Sequence, residues 1–305
     1  MIGAVDIGGT KIAVGIVDDC GRVLARGECA TESRRGFPDG LARIARMLRE
    51  TASRAEAGLH GIGIGCTGPV DPMRGVLGSA DLLPGWQNAP LVAELSSIFG
   101  LPAAMENDAD AAALAESAWG AGRGKSRFLY VTIGTGIGVA VILDGVLYRG
   151  VDGFHPETGH QVIDAAGPLC YCGAHGCWEV LASGTALQAR AEAMGLAGDR
   201  EPAVARLCAM AEAGDSAARA AMDRHGYYLG LGLANLINVF CPDAIALGGG
   251  VMRSSHLFLD RVRQVVRECC ALVPYQKAVL TPALLGADTA LIGAAQVWRH
   301  RFQPC

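Results

Sequence analysis

Residues 157–179, ETGHQVIDAAGPLCYCGAHGCWE, bring together side chains that bind transition metals. Cys170, Cys172 and Cys177 offer three thiolates, and His160, ten residues before the first of them, offers an imidazole. Three sulfur ligands and one nitrogen ligand make up the set of a closed tetrahedral structural zinc site. A redox-active pair would more typically be spaced Cys-x-x-Cys, and the sequence contains no such spacing. The segment therefore predicts a structural zinc ion rather than a redox centre.

Two further histidines compete with His160 for the fourth ligand position. His175 lies inside the cysteine loop, and His155 precedes His160 by five residues and is the weaker competitor. Glutamates flank the motif at its two ends, Glu157 and Glu179. A metal ion can immobilise a loop that has few apolar contacts of its own, so we expect zinc to hold these two carboxylates in place.

Composition and charge exclude several classes of protein. The chain has 305 residues, 51% of them hydrophobic, which is enough for the core of one large domain or of two ordinary ones. Its net charge of -4, with acids and bases interspersed, gives no basic surface for the backbone of a nucleic acid. Eleven cysteines in a chain of this length do not indicate the disulfide scaffold of a short secreted protein.

The sequence also lacks the marks of a membrane or secreted protein. No run approaches the ~18 consecutive apolar residues of a membrane span. The first residues, MIGAVDIGGT, have the character of a strand and turn rather than of a signal peptide. We therefore expect a cytoplasmic protein with no membrane partner and no nucleic-acid partner.

A pattern near the start of the chain recurs in its middle. Over residues 1–30, short β-branched runs alternate with glycine turns, which predicts three consecutive antiparallel strands. Residues 129–150, LYVTIGTGIGVAVILDGVLYRG, repeat this pattern, with VTIGTG in the place of VDIGGT and a third strand that again ends in Arg-Gly. Any two glycine-rich hairpins look alike, but an internal duplication is the simplest interpretation.

Helices and buried strands follow each copy of this pattern. Apolar residues at helical spacing begin at Leu41, and an alanine-rich helix runs from Ala109 until Gly120 ends it. The remaining predicted elements are strands at 61–66, 103–106 and 244–250, helices around 183–194, 201–213, 215–240 and 255–271, and a last helix from Thr289. This order predicts two α/β domains with a cleft between them.

Two glycine-rich turns are candidate phosphate-binding loops. Backbone amides in such turns form concavities that suit phosphate oxygens. Neither turn has the ending of a Walker A motif or the following helix of a dinucleotide fold, and glycines often only make a hairpin turn. Facing each other across a cleft, the two turns would hold the phosphates of a nucleotide, with Asp6 holding magnesium directly or through water. The candidate residues are Gly8, Gly9, Thr10 and Lys11 in the first turn and Thr132, Gly134, Thr135 and Gly136 in the second.

A carboxylate follows the strand at 103–106. Asn107 and Asp108 stand where this strand ends and the alanine-rich helix begins, and either could be only the helix N-cap. Because they are adjacent, one can cap the helix while the other stays free. Phosphoryl transfer to a hydroxyl needs a carboxylate that accepts the hydroxyl proton. We expect a carboxylate at a helix N-terminus to stay ionised at neutral pH, as a base must.

The order of the motifs resembles the ROK family (repressor, open reading frame, kinase) of sugar kinases. The motifs are DIGGTK, ENDADAAALAE, TIGTGIG, GH followed by CYCGAHGCWE, and ALGGGV, and they span essentially the whole chain. The cysteine motif is highly specific to that family, whereas the phosphate motifs are shared more widely. The resemblance implies the duplicated α/β fold of actin and hexokinase, which is ribonuclease H-like and has two domains with an interdomain cleft.

The resemblance also implies roles for individual residues. Asp108 would be the catalytic base on the 6-hydroxyl of a hexose, and Asn107 would bind the neighbouring ring hydroxyls. Gly68 would line the sugar pocket, and Gly248 and Gly249 would meet the adenosine of ATP. The activity implied is that of an ATP-dependent hexokinase that uses Mg2+ and carries a structural Zn2+.

The family pattern favours His160 over the other histidines as the zinc ligand. Residues matching Glu157, His160 and Glu179 bind sugar hydroxyls near carbons one to three in the family. An imidazole has two ring nitrogens, so His160 can bind zinc through one and sugar through the other. The resemblance therefore connects the zinc motif to the substrate.

Short stretches around the zinc motif bear on the identity of the sugar. Pro156 stands where the family commonly has glycine before Glu-x-Gly-His, and a proline there stiffens the approach to the sugar. The stretch HPE resembles the fructose-directed members, whereas the compact cysteine loop and ASGTAL resemble the glucose and N-acetylhexosamine members. We expect glucose, with N-acetylmannosamine, N-acetylglucosamine or fructose as alternatives.

Two alternatives to a kinase belong to other functional classes. A sugar-sensing transcriptional repressor would need a helix-turn-helix before the first phosphate turn, and we expect no room for one because that turn begins at Asp6. An actin-like filament or chaperone ATPase would keep the phosphate turns but would not use a zinc-braced sugar pocket.

We expect two domains of unequal size. A smaller N-terminal domain would comprise residues 1–118 and 289–305, and a larger C-terminal domain, residues 119–288, would carry the zinc loop. Family members are commonly dimers or tetramers, so the resemblance implies a homodimer or homotetramer.

Overall fold

Strands and helices alternate along the chain, whose computed structural model describes residues 1–56, 58–78, 83–196 and 202–303. The strands are β1 (Ile2–Ile7), β2 (Lys11–Val17), β3 (Val23–Ala30), β4 (Gly61–Cys66), β5 (Val70–Asp71), β6 (Val76–Leu77), β7 (Ala103–Asn107), β8 (Arg127–Ile133), β9 (Ile137–Leu143), β10 (Val146–Leu147), β11 (Ala244–Gly248) and β12 (Val279–Pro282). The helices are α1 (Phe37–Arg54), α2 (Leu91–Phe99), α3 (Asp108–Trp119), α4 (Trp178–Ala182), α5 (Gly184–Ala193), α6 (Ala203–Glu212), α7 (Ser216–Phe240), α8 (Leu259–Cys269) and α9 (Thr289–Phe302).

The chain divides into two units. The first unit contains Met1–Lys125, Ala140–Pro156 and Ala283–Cys305, and the second contains Ser126–Val139 and Glu157–Pro282. In the part of the chain that is described, no helix is both long and apolar enough to cross a membrane.

The two main sheets have the same strand order. In the first, the order is β3-β2-β1-β4-β7, and in the second it is β10-β9-β8-β11-β12. The first three strands of the chain are antiparallel neighbours, whereas β4 is parallel to β1 and β7 is parallel to β4. The second sheet matches this, because β11 is parallel to β8 and β12 is parallel to β11. The recurrence of the whole order confirms the internal duplication predicted from the two glycine-rich hairpins.

The first sheet is covered by helices on both faces, which explains the alternation in GIGIGC. Ile62 and Ile64 are fully buried in the core cluster that includes residues of α1 and α2. Gly61 and Gly63, which alternate with them, face the other way, toward α9. A Cβ on Gly63 would lie 1.8 Å from the carbonyl oxygen of Ala294, so only glycine allows α9 to pack this closely on β4.

Predicted helix limits differ from the observed ones where local turns intervene. The helix expected at 255–271 begins at Leu259 because residues Gly250–Leu257 form 3-10 turns. A short helix that was not predicted, α4, begins directly after Cys177. Of the helix expected at 201–213, Glu201 lies outside the described residues, and α6 begins at Ala203.

Parallel strands bring their carboxyl ends to one edge of a sheet. In the first unit, Asp6 lies near the end of β1, Gly68 follows β4, and Asn107 ends β7. In the second sheet, Gly134 follows β8 and Gly248 ends β11. The fold therefore positions the predicted site residues at equivalent edges of its two sheets.

Candidate active site

Two aspartates lie near each other at the strand ends of the first unit. A Cβ built on Gly65 would lie 3.9 Å from Oδ1 of Asp6 and 4.0 Å from Cα of Asp108, so both aspartates flank the end of β4. Loss of solvation and, next, the charge of Asp108 raise the pKa of Asp6 to about 7, against the lowering effect of Lys11. A neighbouring cation would favour the ionised form of this carboxyl.

The sequence left open which of Asn107 and Asp108 caps helix α3 and which stays free. Asn107 is the N-cap of α3, and its side-chain oxygen accepts a hydrogen bond of 2.8 Å from the amide of Ala109. Oδ1 of Asp108 accepts from the same amide, also at 2.8 Å. Asp108 remains exposed to solvent, which leaves its second oxygen available to a substrate.

The pKa of Asp108 is higher than that of an ordinary aspartate. Surrounding protein atoms remove solvation from the side chain and raise its pKa to about 6, although the amide of Ala109 and the neighbouring His155 lower it. Because this pKa lies below neutral pH, the ionised form still predominates at pH 7, in agreement with the expectation from the helix N-terminus.

A charged network that the sequence did not reveal lies behind this carboxylate. Arg149 donates a hydrogen bond to Oε1 of Glu106, the residue before Asn107. His155 pairs through Nδ1 with Oδ1 of the buried Asp110 at 2.9 Å. Loss of solvation raises the pKa of Glu106 to about 7, against the lowering effect of Arg149. Because these partners are more than forty residues apart in the chain, no local spacing could have predicted them.

The first glycine turn is closed by its own backbone. The amide of Gly8 donates to the carbonyl of Lys11 at 2.8 Å, and the Thr31 hydroxyl donates to the carbonyl of Gly8 at 2.6 Å. Thr10 and Lys11 are exposed, while Gly9 is half-buried. The ammonium of Lys11 forms an exposed ion pair with Glu28 at 3.3 Å.

Gly68 lies at the neighbouring strand end. The amide of Thr67 donates to the carbonyl of Ile7 at 2.8 Å, which ties the end of β4 to the end of β1. Gly68 then adopts a φ of 82°, a left-handed conformation that glycine adopts without strain. The chain therefore turns sharply beside Asp6, as a residue lining a binding surface would require.

The second glycine turn is held by the start of α5. The amide of Gly184 donates to the carbonyl of Gly134 at 2.7 Å, and the Thr185 hydroxyl donates to the carbonyl of Thr135 at 2.8 Å. Thr132 is paired with Gly248 between β8 and β11. These contacts fix the backbone of the turn from its carbonyl side.

Gly248 and Gly249 allow close packing beside this turn. A Cβ on Gly248 would lie 2.2 Å from the hydroxyl oxygen of Tyr130. Gly249 has a φ of 90°, and a Cβ there would lie 2.3 Å from the carbonyl oxygen of Ile133. The structure therefore brings both predicted adenosine residues to the edge of the second sheet that carries Gly134.

Glu179 is anchored to the same turn. Its Oε2 accepts a hydrogen bond of 2.8 Å from the amide of Ile137. A Cβ on Gly136 would lie 2.2 Å from that oxygen, so glycine at this position makes room for the carboxylate. Contact with Glu179 thus explains a glycine at position 136 independently of the predicted approach of a phosphate group.

Glu157 and His160 lie on a turn that packs against the carbonyl group of Ile137. They belong to a tight turn in which the amide of His160 donates to the carbonyl of Glu157 at 3.0 Å. A Cβ on Gly159 would lie 2.2 Å from the carbonyl oxygen of Ile137, which explains the glycine in Glu-x-Gly-His. The peptide groups of Ile137 therefore position both Glu179 and the turn that carries Glu157 and His160.

The four predicted metal ligands converge. The ligand atoms of His160, Cys170, Cys172 and Cys177 all lie within 4.8 Å of one another. The sulfurs of Cys172 and Cys177 are 3.5 Å apart, and the sulfur of Cys170 is 3.5 Å from Nδ1 of His160. Zn–S bonds of about 2.3 Å and Zn–N bonds of about 2.0 Å in a tetrahedron would separate two sulfurs by roughly 3.8 Å and sulfur from nitrogen by roughly 3.5 Å. The donor set and its spacing fit a zinc ion.

The competing histidines are engaged elsewhere. Nδ1 of His175 lies 3.1 Å from the carbonyl oxygen of Gly167, and His155 is paired with Asp110. A backbone hydrogen bond of 2.8 Å from the amide of Cys170 to the carbonyl of Ala174 closes the loop that carries Cys170 and Cys172. All three cysteines of the cluster are free thiols.

Tyr171 is a site residue that the sequence argument overlooked. Its hydroxyl lies 2.9 Å from Nε2 of His160, the nitrogen expected to meet sugar, and the two rings are in edge contact with centroids 5.0 Å apart. Its position inside the CYCG motif could have drawn attention to it, but an exposed tyrosine carries no specific sequence signal.

Comparisons with known proteins agree with these observations. A model of the ROK family matches residues 2–301. The chain is 34% identical over 311 residues to a glucokinase of Thermotoga maritima, covering 98% of this chain and 97% of that protein. It is 32% identical over 245 residues to a xylose repressor of Bacillus spizizenii, covering 80% of this chain and 62% of the repressor.

A solved structure extends the likeness to three dimensions. The crystal structure of a ROK family glucokinase from Streptomyces griseus, in complex with glucose and AMPPNP, superposes with a TM-score of 0.81 at 34% identity, covering 97% of this chain and 98% of that chain. This likeness confirms the predicted α/β fold of actin and hexokinase. With a family model that matches it almost from end to end, the chain belongs to the ROK family.

Proposed function

We propose that the protein is an ATP-dependent hexokinase that transfers the γ-phosphate of ATP to the 6-hydroxyl of a hexose, with glucose as the preferred substrate. Asp108 accepts the proton of the attacking hydroxyl, and Asn107 binds neighbouring ring hydroxyls. Asp6 holds the magnesium ion that accompanies ATP. Relatives with kinase names support this proposal: the glucokinase of Thermotoga maritima, and the glucokinase of Streptomyces griseus in complex with glucose and AMPPNP.

One observation carries the proposal. Asn107 caps α3, so the adjacent Asp108 stays exposed at the strand end with a pKa of about 6. A general base works best when its pKa lies near the working pH, because it is then ionised yet still attracts a proton. Asp6, the carboxylate that can hold the metal, flanks the same strand end.

The second unit supplies the sugar-binding residues in this proposal. Glu157, His160 and Glu179 bind sugar hydroxyls, and the cysteine cluster holds a structural zinc that fixes the loop between them. Four protein ligands complete a tetrahedral site and leave no position for a reacting water. The glycine turns around Gly8 and Gly134 bind phosphates, and Gly248 and Gly249 meet the adenosine.

The test is ATP consumption with a panel of sugars. The panel contains glucose, fructose, N-acetylglucosamine and N-acetylmannosamine, and each rate is compared with the rate without sugar. We expect glucose to give the highest kcat/KM and glucose 6-phosphate as the product. Equal rates throughout would contradict the proposal, and a preference for another sugar would correct the substrate alone.

A sugar-responsive regulator is the second candidate. It is favoured by the match to a xylose repressor at 32% identity over 245 residues. A regulator would bind sugar without consuming ATP. Sugar binding measured by calorimetry, together with a hexose-independent ATP rate, would therefore select this candidate over the kinase.

A further inference from the structure

Tyr171 is the feature of the sugar-binding region that the proposed kinase activity does not explain. It lies between two predicted zinc ligands, Cys170 and Cys172, on a turn that the backbone closes from Cys170 to Gly173 at 2.9 Å. The residue is 82% exposed, so no packing in the described part of the chain holds its ring in place. Its polar contacts and the edge of the His160 ring are what orient it.

The hydroxyl of Tyr171 lies among the side chains assigned to the sugar. It is 2.9 Å from Nε2 of His160. The carboxylate of Glu179 is close enough to interact with the same hydroxyl, and that of Glu157 lies nearby. A phenol hydroxyl both donates and accepts, as a sugar hydroxyl does. Tyr171 therefore makes the contacts that one sugar hydroxyl would make.

His160 cannot bind the hydroxyl of Tyr171 and a sugar hydroxyl at the same time. Its Nδ1 faces the cysteine cluster, 3.5 Å from the sulfur of Cys170, so Nε2 is the nitrogen left for other contacts. That nitrogen makes one in-plane hydrogen bond. A sugar hydroxyl that reaches Nε2 must displace the hydroxyl of Tyr171.

We propose that Tyr171 is an internal competitor of the sugar: its hydroxyl occupies the place of one hexose hydroxyl between His160 and Glu179, and its ring swings outward when sugar binds. This inference rests on the proposed function. Because the neighbouring cysteines fix the backbone, the movement is a side-chain rotation into solvent. Tyr171 thereby lowers the affinity for every hexose whose hydroxyl binds at this position. It also determines how much that single hydroxyl contributes to the affinity.

Tyr171→Phe tests the competition directly. The phenyl ring keeps the shape but loses the hydroxyl, so sugar no longer has to replace a hydrogen-bonded group. We expect the dissociation constant for glucose, measured by calorimetry, to fall about threefold to tenfold, the value of one net hydrogen bond. Tyr171→Ala should give at least the same gain. An unchanged or larger dissociation constant in both variants would overturn the inference.

A deoxy-sugar panel identifies the displaced hydroxyl. Three glucose analogues lack the hydroxyl at carbon 1, 2 or 3. One of them should bind the parent chain and Tyr171→Phe with equal affinity, because it lacks the hydroxyl that would displace that of Tyr171. If Tyr171→Phe tightens all three analogues as much as glucose, the hydroxyl-for-hydroxyl exchange is wrong.

The control is Tyr227→Phe on α7, a partly exposed tyrosine whose ring packs on Arg261 at 5.4 Å. It should leave glucose affinity unchanged, and all variants should retain their bound metal. A parent chain that binds and phosphorylates glucose, combined with no gain in Tyr171→Phe, would overturn this inference alone. A parent chain that binds no hexose would overturn the proposed function and this inference with it.

Discussion

Replacing Gly136 with alanine should detach Glu179 from the glycine turn without unfolding the protein. A Cβ at this position would lie 2.2 Å from Oε2 of Glu179, far inside van der Waals contact. The atom it meets is the end of a flexible side chain, so the carboxylate can rotate away. Rotation breaks the 2.8 Å hydrogen bond from the amide of Ile137.

The size of the effect follows from that hydrogen bond. A hydrogen bond to a charged acceptor contributes about 1.5–3 kcal/mol. If the sugar uses Glu179 only in its anchored position, the loss corresponds to a weakening of sugar binding by about 10- to 100-fold. The melting temperature should change little, because the carboxylate is half-exposed and can be solvated after it rotates.

The assay compares two glycines of one turn. Gly134→Ala is the matched control, because a Cβ at Gly134 meets no atom within 4 Å. Glucose affinity, measured by calorimetry without ATP, should fall in Gly136→Ala and stay unchanged in Gly134→Ala. The apparent KM for ATP is measured in both, since either methyl group lies in a turn proposed to bind phosphate.

Two results would refute this reasoning. Normal glucose affinity in Gly136→Ala would show that the anchored position of Glu179 does not matter to the sugar. Equal losses of glucose affinity in both variants would show that the turn, rather than the contact between Gly136 and Glu179, determines binding.

Three other predictions concern the base and the metal. Asp108→Asn should lower kcat by about 100- to 10,000-fold while calorimetry shows near-normal glucose affinity; retained turnover would exclude Asp108 as the base. Since the pKa of Asp108 is raised to about 6, its ionised form is lost as the pH falls, so kcat/KM should decline below about pH 6; a rate independent of pH down to about 5 would contradict this. Cys172→Ser should lose metal and weaken glucose binding, whereas the matched variant His175→Asn, outside the cluster, should keep both; normal metal content and affinity in Cys172→Ser would show that this thiol is dispensable.

Much of the fold could be predicted because local sequence patterns determine it. The alternation of β-branched residues and glycine turns predicted β1, β2 and β3 and their repetition at β8 and β9. The cysteine spacing with His160 predicted the four residues that the structure brings within 4.8 Å. Such features depend on neighbours in sequence, and these are visible without coordinates.

Other features depend on partners that are distant in sequence. The bond between Glu179 and the amide of Ile137 joins residues 42 positions apart, and the pair of Glu106 and Arg149 joins residues 43 apart. The raised pKa of Asp108 could not be predicted for the same reason. Its helix N-terminus is local and could be predicted, whereas the crowding that raises its pKa comes from the assembled unit.

The domain limits and the oligomeric state predicted from the sequence and the resemblance stay predictions. The units that the chain forms are defined by their internal contacts, with Ala140–Pro156 grouped with the first unit. Size-exclusion chromatography coupled to light scattering would measure the assembly, and a mass of one chain would contradict the expected homodimer or homotetramer.

The central claim is that a metal ion fixes the loop that presents acidic side chains to a sugar. The most direct measurement is glucose affinity as a function of bound zinc, with the metal quantified on the same samples before and after chelation. We expect about one zinc per chain and a glucose affinity that falls at least about tenfold when it is removed and recovers when zinc is restored. Full glucose affinity in a metal-free, folded chain would contradict the claim.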